Sequence, residues 1–291
     1  MRISDVSSAF TLTNQLQNIK GQQTRLQEQL LSGKSVNRLE DNPSVANSVL
    51  GSQAAREKLV QMNDNSKLAN NISQAGIDAL DHVREVNKLA MSIAESEDTA
   101  GYVASASNLD TLIQDVLATA NTKYGDDYLF AGTASGSLTP PFSFDEESGQ
   151  YVYNGSGDGR SFEVSGGVSL SPFASSGDNQ AILDTLNSLV SLRDAMSAGD
   201  VDAIAAATDS LQTADDAILD TSSDLGMVQY RLEILDNRNA AKYSVYDNAE
   251  ENATNADENE TTVALLASQN AYSAALQSSS MILQTSILDY I

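Results

Sequence analysis

The sequence predicts a mainly α-helical protein in which both ends of the chain enter a long antiparallel bundle or coiled coil, with a small β-rich insertion in the middle. Heptad spacing near each end and an abrupt change of composition from Tyr128 to about Gly177 predict this arrangement. Aromatic residues make up only 5 % of the chain and Trp is absent, while Ala, Leu, Ser, Asn and Gln are plentiful, which suits long helices packed through small side chains.

The first helix is marked by Leu12, Leu16, Ile19, Leu26 and Leu30, which follow one another at intervals of four, three, seven and four residues and so line one helical face. Gly33-Lys34-Ser35, just beyond it, matches the last three residues of a phosphate-binding loop. Such a loop needs a glycine where Glu28 stands and a strand where this helix stands, so the match is rejected. Gly33 reads instead as a helix end that wants a positive φ, and Lys34 as a loop cation. Asn42-Pro43 reads as the N-cap and first residue of the next helix. That second series, from about residue 43, includes Leu59, Met62, Ile77, Leu80, Val83, Ala90 and Ile93. A third helix over roughly 102–122 carries Leu109, Ile113, Val116 and Ala120 as one stripe.

After "KYGDDYLFAG" the composition turns to Gly, Ser, Pro and aromatic residues. Three alternating runs, "PFSF", "QYVYN" and "SFEVS", are separated by "DEESG" and "GSGDG", both read as hairpin turns. From about residue 179 the chain reads as helical again. Its strongest register places Leu225, Val228, Leu232 and Leu235 in a bundle core and continues through Asn239, Lys242, Tyr246 and Ala249. The last helix offers Leu265, Tyr272, Leu276 and Leu283, with Gln269 and Ser279 at the intervening core positions. The expected division is therefore 1–40 with 255–291 as a terminal helical domain, 41–129 with 178–254 as a helical bundle, and 130–177 as the β-rich insertion.

Charge and chemistry narrow the function. Forty acids against sixteen bases give a net charge of −24, which argues against partners that demand clustered Lys and Arg, namely nucleic acid and anionic membranes. No apolar run is long enough for a signal peptide's hydrophobic region or for a membrane span. Cysteine is absent and His82 is the lone histidine, so thiolate metal sites are impossible, and the histidine reads as a surface residue on a helix. The acid clusters at 126–127 and 145–147 fall in turns, where solvated carboxylates belong, and Asp126-Asp127 lacks the spaced ligands of a calcium loop. An enzyme or a soluble helical binding protein is thus the weaker reading, and no cofactor is expected. Residues 1–60 carry seven bases and five acids, while the 49 residues after Lys242 carry seven acids and no base. Opposite charges at opposite ends favour the first helix lying beside the last. The apolar face of each is thin, so the pair is expected to order only when many copies pack together.

Several stretches in order along the chain resemble the flagellin family. They are "MRIS", "LSGKSVNRLEDNPSVANSVL", "NTKYGDDYLFAGT" ahead of "PPF", "SSDLGMVQYRLEILDN" and the terminal "QTSILDYI". The resemblance runs from end to end. It implies that the terminal helices pair as an inner layer of a tubular axial structure, through Leu12, Leu16, Ile19, Leu26, Leu30, Leu265, Tyr272, Leu276 and Leu283. It also implies that the heptad helices form the next shell and that the β insertion points outward. Within the family, the short insertion and the "LDYI" ending are closer to the subunits that join hook to filament than to filament flagellin, which is the alternative. The resemblance further implies type III export through the flagellar channel, an extracellular location, and a structural role without catalysis. The implied partners are further copies in a ring or tubular layer, the adjoining hook-associated protein, flagellin and an export chaperone.

Overall fold

The computed structural model describes residues 2–38, 40–96, 99–132, 139–157 and 159–288. Six helices form there: α1 Arg2–Ser32, α2 Pro43–Ser96, α3 Thr99–Ala120, α4 Ser176–Ala198, α5 Val201–Thr254 and α6 Glu258–Leu288. The chain divides into two compact units, one of Met1–Glu57 with Lys242–Ile291 and one of Lys58–Ala241. Helices α2 and α5 contribute residues to both.

In the unit Lys58–Ala241 the core follows helical periodicity. Met62, Ile72, Leu80, Val83 and Ala90 of α2 are buried, as are Leu109, Ile113, Val116 and Ala120 of α3 and Leu211 and Ile218 of α5. Helix α3 packs on α4, whose Leu186, Leu189 and Leu192 have no exposed surface at all. Periodicity alone does not divide the helical stretch after residue 179, but the chain breaks at Gly199, which adopts φ 69°. There the amide of Gly199 donates to the Met196 carbonyl at 3.1 Å, and that of Asp200 donates to the Ala195 carbonyl at 3.1 Å, closing α4 with a left-handed glycine cap. Its other end is closed by a capping box. The Ser175 hydroxyl accepts from the Asp178 amide, and the Asp178 carboxylate accepts from the Ser175 amide at 2.8 Å.

Among the described residues the named strands form three two-stranded antiparallel hairpins. The first, β1 Lys123–Tyr124 with β2 Asp127–Tyr128, turns through Gly125 at φ 64°, and Asp127 is held by Arg160 at 2.9 Å. Gly125 and Asp126 are therefore the turn, and Asp127 opens β2. In the second, β3 Phe142–Asp145 pairs with β4 Gln150–Tyr153 across "EESG", as expected. Asp145 anchors that turn: its carboxyl is held below the ordinary value by the Ser148 hydroxyl first and the Glu147 amide next. The third hairpin corrects the sequence reading. "GSGDG" is not a hairpin turn; β5 Phe162–Ser165 pairs instead with β6 Val168–Leu170 through Gly166-Gly167, with Gly167 at φ 74°. The "GGVSL" run is only three paired residues long, too short for alternation to reveal it.

Asparagine side chains fasten these hairpins to the helices. Asn121 accepts from the Phe142 amide and donates to its carbonyl, both at 3.0 Å, and Asn187 of α4 does the same for Tyr151 at 2.8 and 3.3 Å. On α5, buried Asn239 donates to the Val164 carbonyl at 2.7 Å and accepts from the Ser165 hydroxyl at 2.8 Å. Each amide offers both a donor and an acceptor, so it can match a strand residue as a neighbouring strand would. Around Asn239, Leu232 and Leu235 of α5 join Ala69, Val164 and Leu170 in a second core cluster, with Val228 at its margin and Leu225 in the first cluster. Leu232 is 1 % exposed. Leu232→Ala should therefore cost about 2–5 kcal/mol in urea unfolding, whereas Ile234→Ala, one turn-face away and half exposed, should cost under about 0.5 kcal/mol.

Candidate assembly interface

The unit Met1–Glu57 with Lys242–Ile291 is built on the pairing of α1 with α6. The inward face of α1 runs through Leu12, Leu16, Ile19, Gln23, Leu26 and Leu30, all half-buried. None reaches full burial, because a single neighbouring helix covers only one side of each. Gln23 breaks the apolar stripe and is accommodated by a hydrogen bond: its Nε2 donates to the Ser268 carbonyl at 3.1 Å.

The facing stripe of α6 is Thr261, Leu265, Ser268, Tyr272, Ala275 and Ser279, of which Thr261 and Ser279 are buried. Leu265 and Tyr272 lie in this stripe. Leu276 does not; it is 45 % exposed, and the small Ala275 takes the inward position beside it. Leu283 belongs to α6 by its backbone, but its side chain lies outside the described residues, as do the last three residues of the "LDYI" ending. Small and hydroxylated residues dominate this face, and the Ser279 hydroxyl bonds back to the Ala275 carbonyl at 2.6 Å. The helices therefore approach closely over a seam that buries little apolar surface.

Where each terminal helix ends, the two connecting loops are bonded together. Gly33 at φ 69° ends α1, and its carbonyl accepts from the Ala256 amide at 3.0 Å. Ser35 returns two bonds to the Thr254 carbonyl, from its amide at 2.6 Å and its hydroxyl at 3.1 Å, around an antiparallel bridge of Lys34 with Asn255. The Gly-Lys-Ser triplet is thus one half of a clasp whose other half is Thr254–Ala256. Asn42 caps α2 through its Oδ1, which accepts from the Val45 amide at 3.2 Å, with Pro43 as first helical residue.

Beyond the clasp, α2 and α5 pair within the same unit through polar groups. The register read from sequence continues from Asn239 to Lys242, Tyr246 and Ala249, but these three are exposed. The residues of α5 that meet α2 are one position later: Tyr243, Asp247 and Glu250. Arg56 of α2 binds the Asp247 and Glu250 carboxylates, the latter at 2.6 Å, and lies 5.6 Å from the centre of the Tyr243 ring. Gln53 adds a bond to Glu250 at 3.0 Å. An aliphatic register cannot anticipate this switch, since the helix exchanges leucine packing for one arginine that satisfies three partners.

The oppositely charged ends do lie side by side, yet no ion pair joins α1 to α6 among the described residues. The ion pairs of this unit join Arg38 to Glu28 and Glu40, and Arg56 to Asp247 and Glu250. Elsewhere, His82 is exposed on α2 with its Nε2 3.1 Å from Asp115 Oδ2. Among the described residues no three His, Asp or Glu side chains gather as a metal would require, and no helix is long and apolar enough to cross a membrane.

Removing Arg56 should strand the half-buried Glu250. Arg56→Ala is expected to lower the opening free energy of amides in 242–254 by about 1–3 kcal/mol in hydrogen exchange, with exposed Glu57→Ala as a near-neutral control.

No family model and no curated protein matches the sequence. Solved structures do match. A protein designated a flagellar hook-associated protein from Vibrio parahaemolyticus aligns with a TM-score of 0.63 at 19 % identity, over 74 % of this chain and 100 % of its own. FlgL from Bacillus cereus aligns with a TM-score of 0.52 at 18 % identity, over 63 % of this chain and 97 % of its own. FlgL from Xanthomonas campestris gives 0.51 at 14 % identity, over 65 % and 99 %. With sequences so far apart and each of those chains covered almost completely, the conclusion is that this chain has the fold of the flagellar hook-associated proteins.

Proposed function

We propose that this chain is a structural subunit of the bacterial flagellum that joins hook to filament. The observation that carries the reading is the likeness of fold to a whole hook-associated protein over 74 % of this chain. The thin seam supports it. A helix pair whose inward residues stay half exposed has surface left over for neighbours, as a subunit of a ring or tube requires. In this reading α1 and α6 form the inner layer, the helical bundle the next, and the hairpins the outer surface. Leu12, Leu16, Ile19, Leu26, Leu30, Leu265, Tyr272, Leu276 and Leu283 meet neighbouring copies. The chain is exported through the flagellar type III channel with the help of a chaperone, acts outside the cell between an adjoining hook-associated protein and flagellin, and catalyses nothing.

Deleting the gene should leave hooks in place while filaments detach or never start, as seen by electron microscopy; filaments of normal number and attachment would overturn the junction role. In the free subunit, amides of α1 and α6 should exchange at least about a hundredfold faster than those of 225–241, because ordering about 60 residues costs roughly 1–2 kcal/mol each and a seam with half its surface wet cannot offset it. Equal protection at both places would refute folding on assembly.

A further inference from the structure

Opposite charges collect at the two ends of the sequence, and the pairing of those ends leaves them unused. Lys20 and Arg25 stand at exposed positions of α1, Glu258 and Glu260 at exposed positions in the first turn of α6. None of the four side chains has an ion-pair partner among the described residues, whose ion pairs in this unit engage Arg38 and Arg56 instead. The antiparallel register accounts for this. Gln23 bonds to Ser268 and Gly33 to Ala256, which puts Glu260 level with about residue 30 of α1, roughly 8 Å along the axis from Arg25. Within one copy the unlike charges are out of step.

Arg25 also lines a groove of about 580 Å³ with Gly21, Thr24, Glu28, Arg38 and Glu40. Arg38 holds both carboxylates of that groove, Glu28 at 2.9 Å and Glu40 at 3.7 Å, so Arg25 is the cation left without one. Gly21 presents no side chain, and a Cβ there would meet nothing within 4 Å, so an incoming group has room.

We propose that this groove receives the acidic first turn of α6 from a second copy of the chain, with Glu258 and Glu260 meeting Arg25 and Lys20. The proposal rests on the reading of the chain as a self-assembling subunit and names the contact that sets the axial offset between neighbours. Charge complementarity identifies the occupant. Copies that each carry a net charge of −24 repel one another, so close approach favours the few places where an unpaired cation can face an unpaired acid. Single exposed pairs are weak, so this contact selects the position of the neighbour more than it holds it.

Because the chain has no cysteine, introduced thiols are its only ones. A full-length Gly21→Cys, Asn259→Cys chain, which keeps all four charges, assembled in cells lacking the unaltered copy and treated with a short bis-maleimide, should give a ladder of covalent oligomers of this chain, which either single substitution lacks. Arg25→Glu should lower incorporation about three- to tenfold, and adding Glu260→Arg should restore it. If the chain is incorporated but the double variant yields only monomers, or links only to a different protein, the groove contact is overturned while the subunit role stands. If the unaltered chain is absent from every assembled structure, the subunit role falls, and the contact with it.

Discussion

The β3–β4 and β5–β6 hairpins of this protein depend on asparagine amides that reach their strands from outside. A two-stranded hairpin is marginal in water, and its outer edges carry amides and carbonyls that need partners. Asn121 and Asn187 each bond one strand residue of the β3–β4 hairpin through both donor and acceptor, and Asn239 holds β5 through the Val164 carbonyl and the Ser165 hydroxyl. The helices supply the missing strands, one side chain at a time. This fixes each hairpin in position as well as satisfying it, because the amide must meet a particular residue, and a slip by one residue would turn the apolar side chains outward. The aromatic pairs come from the hairpin's own register, Phe142 opposite Tyr153 and Phe144 opposite Tyr151, with ring centres 5.1 and 5.2 Å apart.

The same amides show where sequence reading succeeds and where it stops. Periodicity exposes long apolar stripes, so α1, the buried face of α2, the α3 stripe and the core from Leu225 to Leu235 are all legible. Asn239 sits at the next position of that stripe, but spacing alone says nothing of the carbonyl it reaches. From Tyr243 onward the helix packs through Arg56, and the register read from leucines slips by one position because no leucine is left to mark it. The same limit explains Leu276: on α6, where Ala and Ser line the inward face, the large apolar residue is a poor guide to orientation. Strand β6 escapes because three residues carry too little alternation to distinguish a strand from a loop. Chemistry that depends on a partner distant in sequence is not written in local pattern.

Gly132 illustrates a second kind of constraint. At φ 65° it bridges Ser156, and a Cβ built on it would stand 1.8 Å from the Ser156 carbonyl oxygen. No other residue fits there without moving backbone. Composition alone marks this stretch as loose and glycine-rich, yet here glycine permits a close approach.

The clasp between Gly33–Ser35 and Thr254–Ala256 has a temporal consequence. Ser35 and Thr254 are separated by 219 residues, and Gln23 and Ser268 by 245, so the bonds of this unit close very long loops. Loop closure of that length is entropically late, and it cannot begin while the ribosome still holds the final helix. A chain in synthesis therefore carries α1 without its partner from the first residues to the last. Whatever handles the nascent protein meets the α1 segment with its apolar face unpaired, since α6 is made long after it.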